Sequence, residues 1–273
     1  MKGLIFDVKE FALYDGGGIR TTVFLKGCPL RCAWCHNPEG LEFHAELYVK
    51  KGCVDCGLCR RPCNHDDCRA FGRCLHICPN NCLSVVGKWW ESEDLVKKLL
   101  EREAFFQSTG GGVTLSGGEP LLQGEFCVDL LSRLRGRVHC AIETSGYSDG
   151  ETFSRVISLC DFVYMDLKLA DRQKHKQYTG VYNDFILINA EMLKKSGVAH
   201  AFRVPLIPDI TDFPENLKAI SEIVGDSPVE ILEYNSLASA KYNSVGKTFS
   251  LPKNIERKRD IDLSVFKNAS FRM

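Results

Sequence analysis

Apolar residues recur along this chain with two different spacings, and the change from one to the other marks its elements. Residues 4–8 read as a short strand, and Thr21-Thr-Val-Phe-Leu-Lys26 as a second. After Glu91 the pattern becomes regular. Ser92, followed by Glu93 and Asp94 and then Leu95, Val96, Leu99 and Leu100, predicts a capped amphipathic helix running to about Phe106. Residues 111–117 form a strand with glycine at both ends, and a helix follows at 124–135. Strands are then expected at 138–144, 162–168, 201–207 and 229–234. The intervening helices fall at 150–159, 171–178, 184–196 and 214–224, with Gly197 as the cap of the third.

Strands beginning near 21, 112, 138, 162, 201 and 229 therefore alternate with helices in six β/α units, which predicts a parallel sheet covered by helices. Polar residues gather at the ends of these strands: Cys28, Ser116 to Glu119, Glu143, Thr144, Asp166, Lys168, Arg203 and Asn235. In barrel-like α/β folds that edge is where chemistry is assembled. Six units are fewer than the eight of a closed barrel, so the fold expected is a partial, open-sided (β/α)6 barrel of TIM type. Residues 44–88 break the pattern. They hold eight cysteines, little helical periodicity and few aliphatic runs, and read as an inserted module held by metal rather than by packing. The expected organisation is a barrel over 1–43 and 89–253, an insert over 44–88, and a charged tail over 254–273 with no assigned role.

Composition narrows the function. The 273 residues are 44% hydrophobic and 26% charged, an ordinary globular balance. Lys+Arg and Asp+Glu both number 35, so no overall field favours nucleic acid or an anionic membrane. The N-terminal apolar run is too short for a signal peptide, and no run approaches a membrane span. A cytoplasmic monomer is expected. Eleven of the fourteen cysteines lie between Cys28 and Cys82, a density that implies metal in a chain of this size. Cys127, Cys140 and Cys160 stand singly among apolar residues and read as small buried hydrophobes.

The candidate chemistry centres on Cys28-x3-Cys32-x2-Cys35. Three such thiols can hold three corners of a [4Fe–4S] cube and leave the fourth iron open to another ligand. The glycine-rich turn before them, Gly16-Gly17-Gly18, is neither a phosphate-binding Walker loop nor a dinucleotide fingerprint.

Taken together, Gly16-x-Gly18-x-Arg20, Phe24, Gly27-Cys28-x3-Cys32-x2-Cys35, His36-Asn37, Gly117-Gly118-Glu119-Pro120, Glu143-Thr144-Ser145-Gly146 and Asp166-Leu167-Lys168 resemble, in order, the motifs of radical S-adenosylmethionine (SAM) enzymes that activate glycyl radical enzymes. The resemblance runs to about residue 245. It implies a [4Fe–4S] cluster on Cys28, Cys32 and Cys35 that binds SAM, and reductive cleavage of SAM to a 5′-deoxyadenosyl radical. That radical abstracts hydrogen from a glycine of a partner glycyl radical enzyme. It also implies Gly117, Gly118 and Glu119 near the methionine amino group, with Trp34 and His36 toward the adenine. Glu143, Thr144, Asp166, Lys168 and Asn235 would lie around the rest of SAM, and Glu143 with Asp166 could hold a monovalent cation or be ordinary salt-bridge partners at the rim; Arg203, on the fifth strand, could pair with a carboxylate of the ligand or form a structural ion pair. Asp15, Gly16, Gly17, Gly18 and Arg20 are the candidates for gripping the partner's glycine loop. No side chain is expected to act as an acid or base. Two departures stand out: Gly17 replaces the family's usual proline, and Asn235 stands where relatives commonly have histidine.

In the insert, Cys53-x2-Cys56-x2-Cys59-x3-Cys63 matches a ferredoxin-like run, followed by the irregular Cys68-x5-Cys74-x3-Cys78-Pro79-x2-Cys82. Eight thiols suffice for two auxiliary [4Fe–4S] clusters, with Cys63 and Cys78 crossing over and Cys82 the least expected ligand; zinc is the alternative for such C-x2-C pairs. His65 and His76 are read as bystanders. Flavodoxin or ferredoxin is the electron donor that such a system implies. Two other readings compete: a radical SAM enzyme acting on a small molecule or short peptide, and an electron carrier with the barrel as scaffold. The Gly-x-Gly-x-Arg and His-Asn context argues against the first, and the Gly117–Glu119 and Asp166–Lys168 motifs against the second.

Overall fold

Strand and helix alternation resolves into a single large sheet with helices on its outer side. The computed structural model describes residues 1–271 apart from 236, 238, 253, 254 and 256–260. The chain opens with β1 (Lys2–Ala12) and β2 (Arg20–Leu25). The insert begins with β3 (Glu46–Val49) and closes with β4 (Leu83–Val86), and β5 (Lys88–Glu91) follows at once. Helices α1 (Ser92–Leu100) and α2 (Glu103–Thr109) lead to β6 (Gly112–Gly117). Then come α3 (Gly124–Leu134), β7 (His139–Thr144), α4 (Gly150–Ile157) and β8 (Phe162–Asp166). Helices α5 (Arg172–Thr179) and α6 (Asp184–Lys195) precede β9 (His200–Leu206) and α7 (Pro214–Val224). The chain ends with β10 (Val229–Glu233), the short α8 (Ser239–Tyr242) and β11 (Ala269–Phe271).

The sheet order is β11-β10-β9-β8-β7-β6-β2-β1-β5. The six strands β2, β6, β7, β8, β9 and β10 run parallel and in sequence, as the six β/α units predict. No pairing among the described residues joins β11 to β5, so the barrel stays open. Each helix buries one stripe: α3 places Phe126, Cys127, Leu130, Leu131 and Leu134 against the sheet at helical spacing. Each such Leu or Phe contributes roughly 1.5–3 kcal/mol relative to an exposed one. Cys127, Cys140 and Cys160 belong to this core.

Four features differ from the sequence expectation. The first strand is longer than residues 4–8, because its second half alternates charged and apolar residues and pairs antiparallel with β2. The Trp89-Trp90 stretch, to which the sequence pattern assigns no element, is an edge strand antiparallel to β1. The helix expected to Phe106 breaks after Leu100. Ser92 does not cap it: its hydroxyl donates to Asp129 and accepts from the terminal ammonium of Met1, tying the N-terminus to α3. The tail, assigned no role, adds β11 in parallel beside β10, and Phe266 is buried in the main core with Ile261, Leu263 and Val265 around it. Its expected range begins at residues that lie outside those described.

Phe266→Ala should lower the unfolding free energy by about 3 kcal/mol through the cavity it leaves. The midpoint of urea denaturation checks this, and an unchanged midpoint would mean the tail is not part of the fold.

Candidate active site and metal centres

The period of two along the strands decides which side chains face inward. In the paired registers, Ser116, Glu143, Tyr164 and Arg203 come from four neighbouring strands at positions that bring their side chains together. Glu143 accepts from Ser116 Oγ at 2.7 Å and is ion-paired with Arg203. Arg203 also donates from Nε to Glu230 at 2.8 Å and lies over the Tyr164 ring, 3.8 Å from its centroid. The Arg203 side chain is 4% exposed, so two carboxylates and an aromatic face enclose its charge. Two residues beyond Tyr164, Asp166 accepts from Lys168 Nζ at 2.8 Å. Burial opposes the charge on Lys168, yet Asp166 and the Cys32 and Cys28 thiols together hold its pKa above the ordinary value. Glu143 and Asp166 thus each already face a cation of the protein. They form an ion-paired rim at the ends of their strands.

The cysteine loop crosses the top of this rim and is fixed by backbone. Gly27 N–H donates to Gly40 O at 2.8 Å and Cys28 N–H to Leu41 O at 3.0 Å. From the next strand, Gly118 N–H reaches Leu25 O and Glu119 N–H reaches Gly27 O, both at 2.8 Å. A Cβ on Gly118 would stand 2.2 Å from Gly27 O and 2.5 Å from Gly40 O, and one on Gly117 (φ +125°) 2.2 Å from Leu25 O. These glycines are needed first because backbone meets backbone there, and only then for any ligand. Glu119 is 1% exposed and accepts from Leu121 N–H at 3.1 Å, Ser145 N–H at 2.8 Å, and the Thr144 and Ser145 hydroxyls at 2.5 Å. Burial raises its pKa while Ser145 and Thr144 oppose the shift. Its carboxylate joins the end of β6 to the end of β7.

On the far side of the loop, Arg31 N–H and Ala33 N–H donate to Thr179 O and Tyr178 O, and Tyr242 hydroxyl to Cys35 O at 3.1 Å. Trp34 is 5% exposed and packs with Leu169, Ile207 and Ile210. Burial pushes the Cys32 thiol up to about 12 and raises Cys28 and Cys35 as well.

Cys28, Cys32 and Cys35 open onto a cavity of about 290 Å³. Trp34, His36, Gly117, Gly118, Glu119, Glu143, Thr144, Asp166, Lys168 and Arg203 all line it, and so does Asp15. Asn235 does not. It is exposed, and its Oδ1 accepts from Leu237 N–H at 2.9 Å within its own loop. The neighbouring Tyr234 lines the cavity instead, with a buried hydroxyl that has no hydrogen-bond partner among the described residues. Ser116 and Ser145 line it too, and the alternation of the strands was the signal for Ser116. Arg20 also departs from its expected role. Its guanidinium is 1% exposed and donates to Thr114 Oγ1 (2.6 Å), Val113 O (2.7 Å), His139 O (3.1 Å) and Gly17 O (3.2 Å). It knits β2 to β6 and β7 and cannot grip another protein. Asp15, held by Thr22 Oγ1 at 2.6 Å, borders the cavity, while Gly17 and Gly18 are exposed beside it and Gly16 is half-buried.

In the insert, Cys53, Cys56, Cys59, Cys78 and Cys82 line one small cavity together with Pro79. Cys63 stands apart from its own run, grouped with Cys68 and Cys74. Buried Lys26, just before the cysteine loop, donates to Glu46 of β3 at 2.5 Å, and Lys247 pairs with the same carboxylate.

The family profile described as the Radical SAM superfamily matches residues 22–219. The chain belongs to the radical SAM superfamily. Within it, the chain belongs with the activating enzymes of glycyl radical enzymes. It is 37% identical to the 4-hydroxyphenylacetate decarboxylase activating enzyme of Clostridium scatologenes, covering 92% of this chain and 89% of that one. The indoleacetate decarboxylase activating enzyme of Tractidigestivibacter scatoligenes is 33% identical over 96% and 92% of the two chains. The choline trimethylamine-lyase activating enzyme of Oleidesulfovibrio alaskensis is 34% identical over 93% and 90%. Membership of this superfamily brings a [4Fe–4S] cluster and SAM. The residues present fit both: three thiols on one loop, and beside them a cavity with an unsatisfied tyrosine hydroxyl and both signs of charge. Among the described residues, no helix is long and apolar enough to cross a membrane.

Two substitutions test this architecture. Gly118→Ala should displace the cysteine loop and lose that loop's cluster, about four irons per chain on reconstitution, while the insert keeps its own. Gly17→Ala, whose Cβ meets nothing within 4 Å, should load fully; iron content compares them. Arg20→Ala should destabilise the chain by about 3 kcal/mol by stranding buried carbonyls, and Arg20→Lys should recover little because it lacks the planar fork. Urea midpoints check both.

Proposed function

We infer that this radical SAM protein activates a glycyl radical enzyme by abstracting hydrogen from a backbone glycine of that partner. When bound, the cluster and SAM supply the oxidising species, a 5′-deoxyadenosyl radical formed by one-electron cleavage of SAM. The observation that carries the reading is the Cys28–Cys32–Cys35 loop opening onto a cavity ringed by the Gly117–Glu119, Glu143–Ser145 and Asp166–Lys168 strand ends.

The chain's own residues then divide the work. Cys28, Cys32 and Cys35 would hold three irons, and the fourth would be left to SAM. Lys168 and Asp166 bring a cation and a carboxylate to the polar groups of SAM, while Trp34 walls one side and His36 lies near the adenine. The Tyr234 hydroxyl, unsatisfied within the protein, is suited to the ligand in the place proposed for Asn235. Glu119 acts through Thr144 and Ser145, fixing the strand ends that border SAM. The exposed Leu13, Tyr14, Gly17 and Gly18 beside Asp15 form the proposed grip on the partner's glycine loop. An auxiliary [4Fe–4S] cluster on Cys53, Cys56, Cys59 and Cys78 would relay electrons from flavodoxin or ferredoxin; a second is the ferredoxin pattern's further expectation. The partner would be a glycyl radical decarboxylase, dehydratase or lyase of the kind that the relatives' names give.

Anaerobic incubation of the reconstituted protein with SAM, dithionite and glycyl radical enzymes of the decarboxylase, dehydratase and lyase kinds should yield 5′-deoxyadenosine and a doublet EPR signal on one of these partners. Cys32→Ala should abolish both. SAM cleavage with no radical on any such partner would overturn the activase reading.

A further inference from the structure

The insert carries two sets of ligands, and their spacings differ. Among the described residues, three or more ligand atoms lie mutually within 4.8 Å in only two groups, both between residues 63 and 76. One is Cys63, His65, Cys68 and Cys74; the other is Asp67, Cys68 and His76. The Cys28, Cys32 and Cys35 thiols are not drawn together in this way, nor are Cys53, Cys56, Cys59, Cys78 and Cys82 around their shared cavity.

We propose that Cys63, His65, Cys68 and Cys74 form a closed tetrahedral site for one zinc ion, in place of a second iron–sulfur cube.

Spacing is the first reason. Thiolates on one tetrahedral ion with bonds near 2.3 Å stand about 3.8 Å apart. On a cube each thiolate binds its own iron, and the sulfurs are held farther from one another. Donor count is the second. Cys78 and Cys82 face the first set, and Cys82 N–H donates to Cys78 Sγ at 3.3 Å. Only Cys63, Cys68 and Cys74 remain for a second centre. His65 supplies the fourth donor, with Nδ1 3.6 Å from Cys74 Sγ. Three cysteines and one histidine are a usual closed set for structural zinc.

The surroundings hold this histidine in place. Its ring packs on that of His76, centroids 4.5 Å apart, and His76 Nε2 lies 2.9 Å from Asp67. Asp67 and His76 are exposed and bonded to each other, so they form an outer layer around Cys68 rather than a rival site. Leu75 N–H donates to Cys68 Sγ at 3.2 Å, as backbone commonly does to a ligating thiolate. Between residues 50 and 82 the buried hydrophobic positions are all cysteines, Cys68, Cys74 and Cys82. With no aliphatic core, this half of the insert needs an ion to fold around. Binding would release the protons of three thiols and change no oxidation state. Electrons would then reach the SAM cluster through the first auxiliary set alone.

The test uses the full chain, purified without oxygen and reconstituted with iron and sulfide in the presence of equimolar zinc. Elemental analysis should give about eight irons, two four-iron cubes, and one zinc per chain. His65→Ala should lose most of the zinc and keep the iron, and His65→Cys should retain both. Cobalt offered in place of zinc should show intense thiolate-to-metal and tetrahedral ligand-field bands that His65→Ala removes. About twelve irons without zinc, or zinc content and cobalt bands unchanged in His65→Ala, would overturn the proposal.

Discussion

At one point three backbone segments meet with no side chain between them. Gly118, at the end of β6, lies against the carbonyls of Gly27 and Gly40, and hydrogen bonds run from Gly118 and Glu119 into the start of the cysteine loop. A methyl group there would collide with two backbone oxygens, atoms that cannot rotate away. The position of Cys28 relative to the sheet is therefore set by main chain alone. Glu119 extends the same constraint sideways: of the four donors on its buried carboxylate, the three from Thr144 and Ser145 lock the next strand end to the first. The cluster loop, the glycine motif and the neighbouring strand form one rigid unit, which suits a site that must hold a reactive species away from water.

A second constraint joins the barrel to its insert. Lys26 immediately precedes that unit, its side chain fully buried and bonded to Glu39 O and to Glu46. Lys247 pairs with Glu46 from the opposite side. Replacing a buried pair by apolar groups is often neutral, but removing one partner strands a charge, so such a contact fixes relative position more than it adds stability. Here it fixes the first residue of β3, and hence the module's thiols, against the loop that bears Cys28. The inner rim is organised in the same way, with Arg203 between Glu143 and Glu230 over the Tyr164 ring.

Much of this was legible along the chain. The six parallel β/α units follow from hydrophobic period, which is local, and the helices fall within a few residues of where capping and periodicity put them. The strand-end motifs could be read because each is a contiguous run whose residues share one edge of the sheet. Less was legible where a strand is half-exposed: the charged second half of β1, the Trp89-Trp90 edge and β11 owe their strand character to the neighbours they pair with. Ser92 illustrates the same limit. Its sequence context describes an N-cap, but a distant Asp129 and the chain's own terminus compete for the hydroxyl.

The sequence by itself determined the family, the parallel architecture, the three thiols of the cluster loop and the strand ends around them, since all of these reside in period or in contiguous motifs. Only the tertiary structure decided which polar residues are spent on the protein itself. Arg20 belongs to a glycine-rich motif yet is buried across three strands, Asn235 turns back into its loop while Tyr234 takes the cavity, and His65 joins three thiols. Those outcomes depend on which donors and acceptors are brought within 3–4 Å by folding, and the linear order of residues carries no record of that distance.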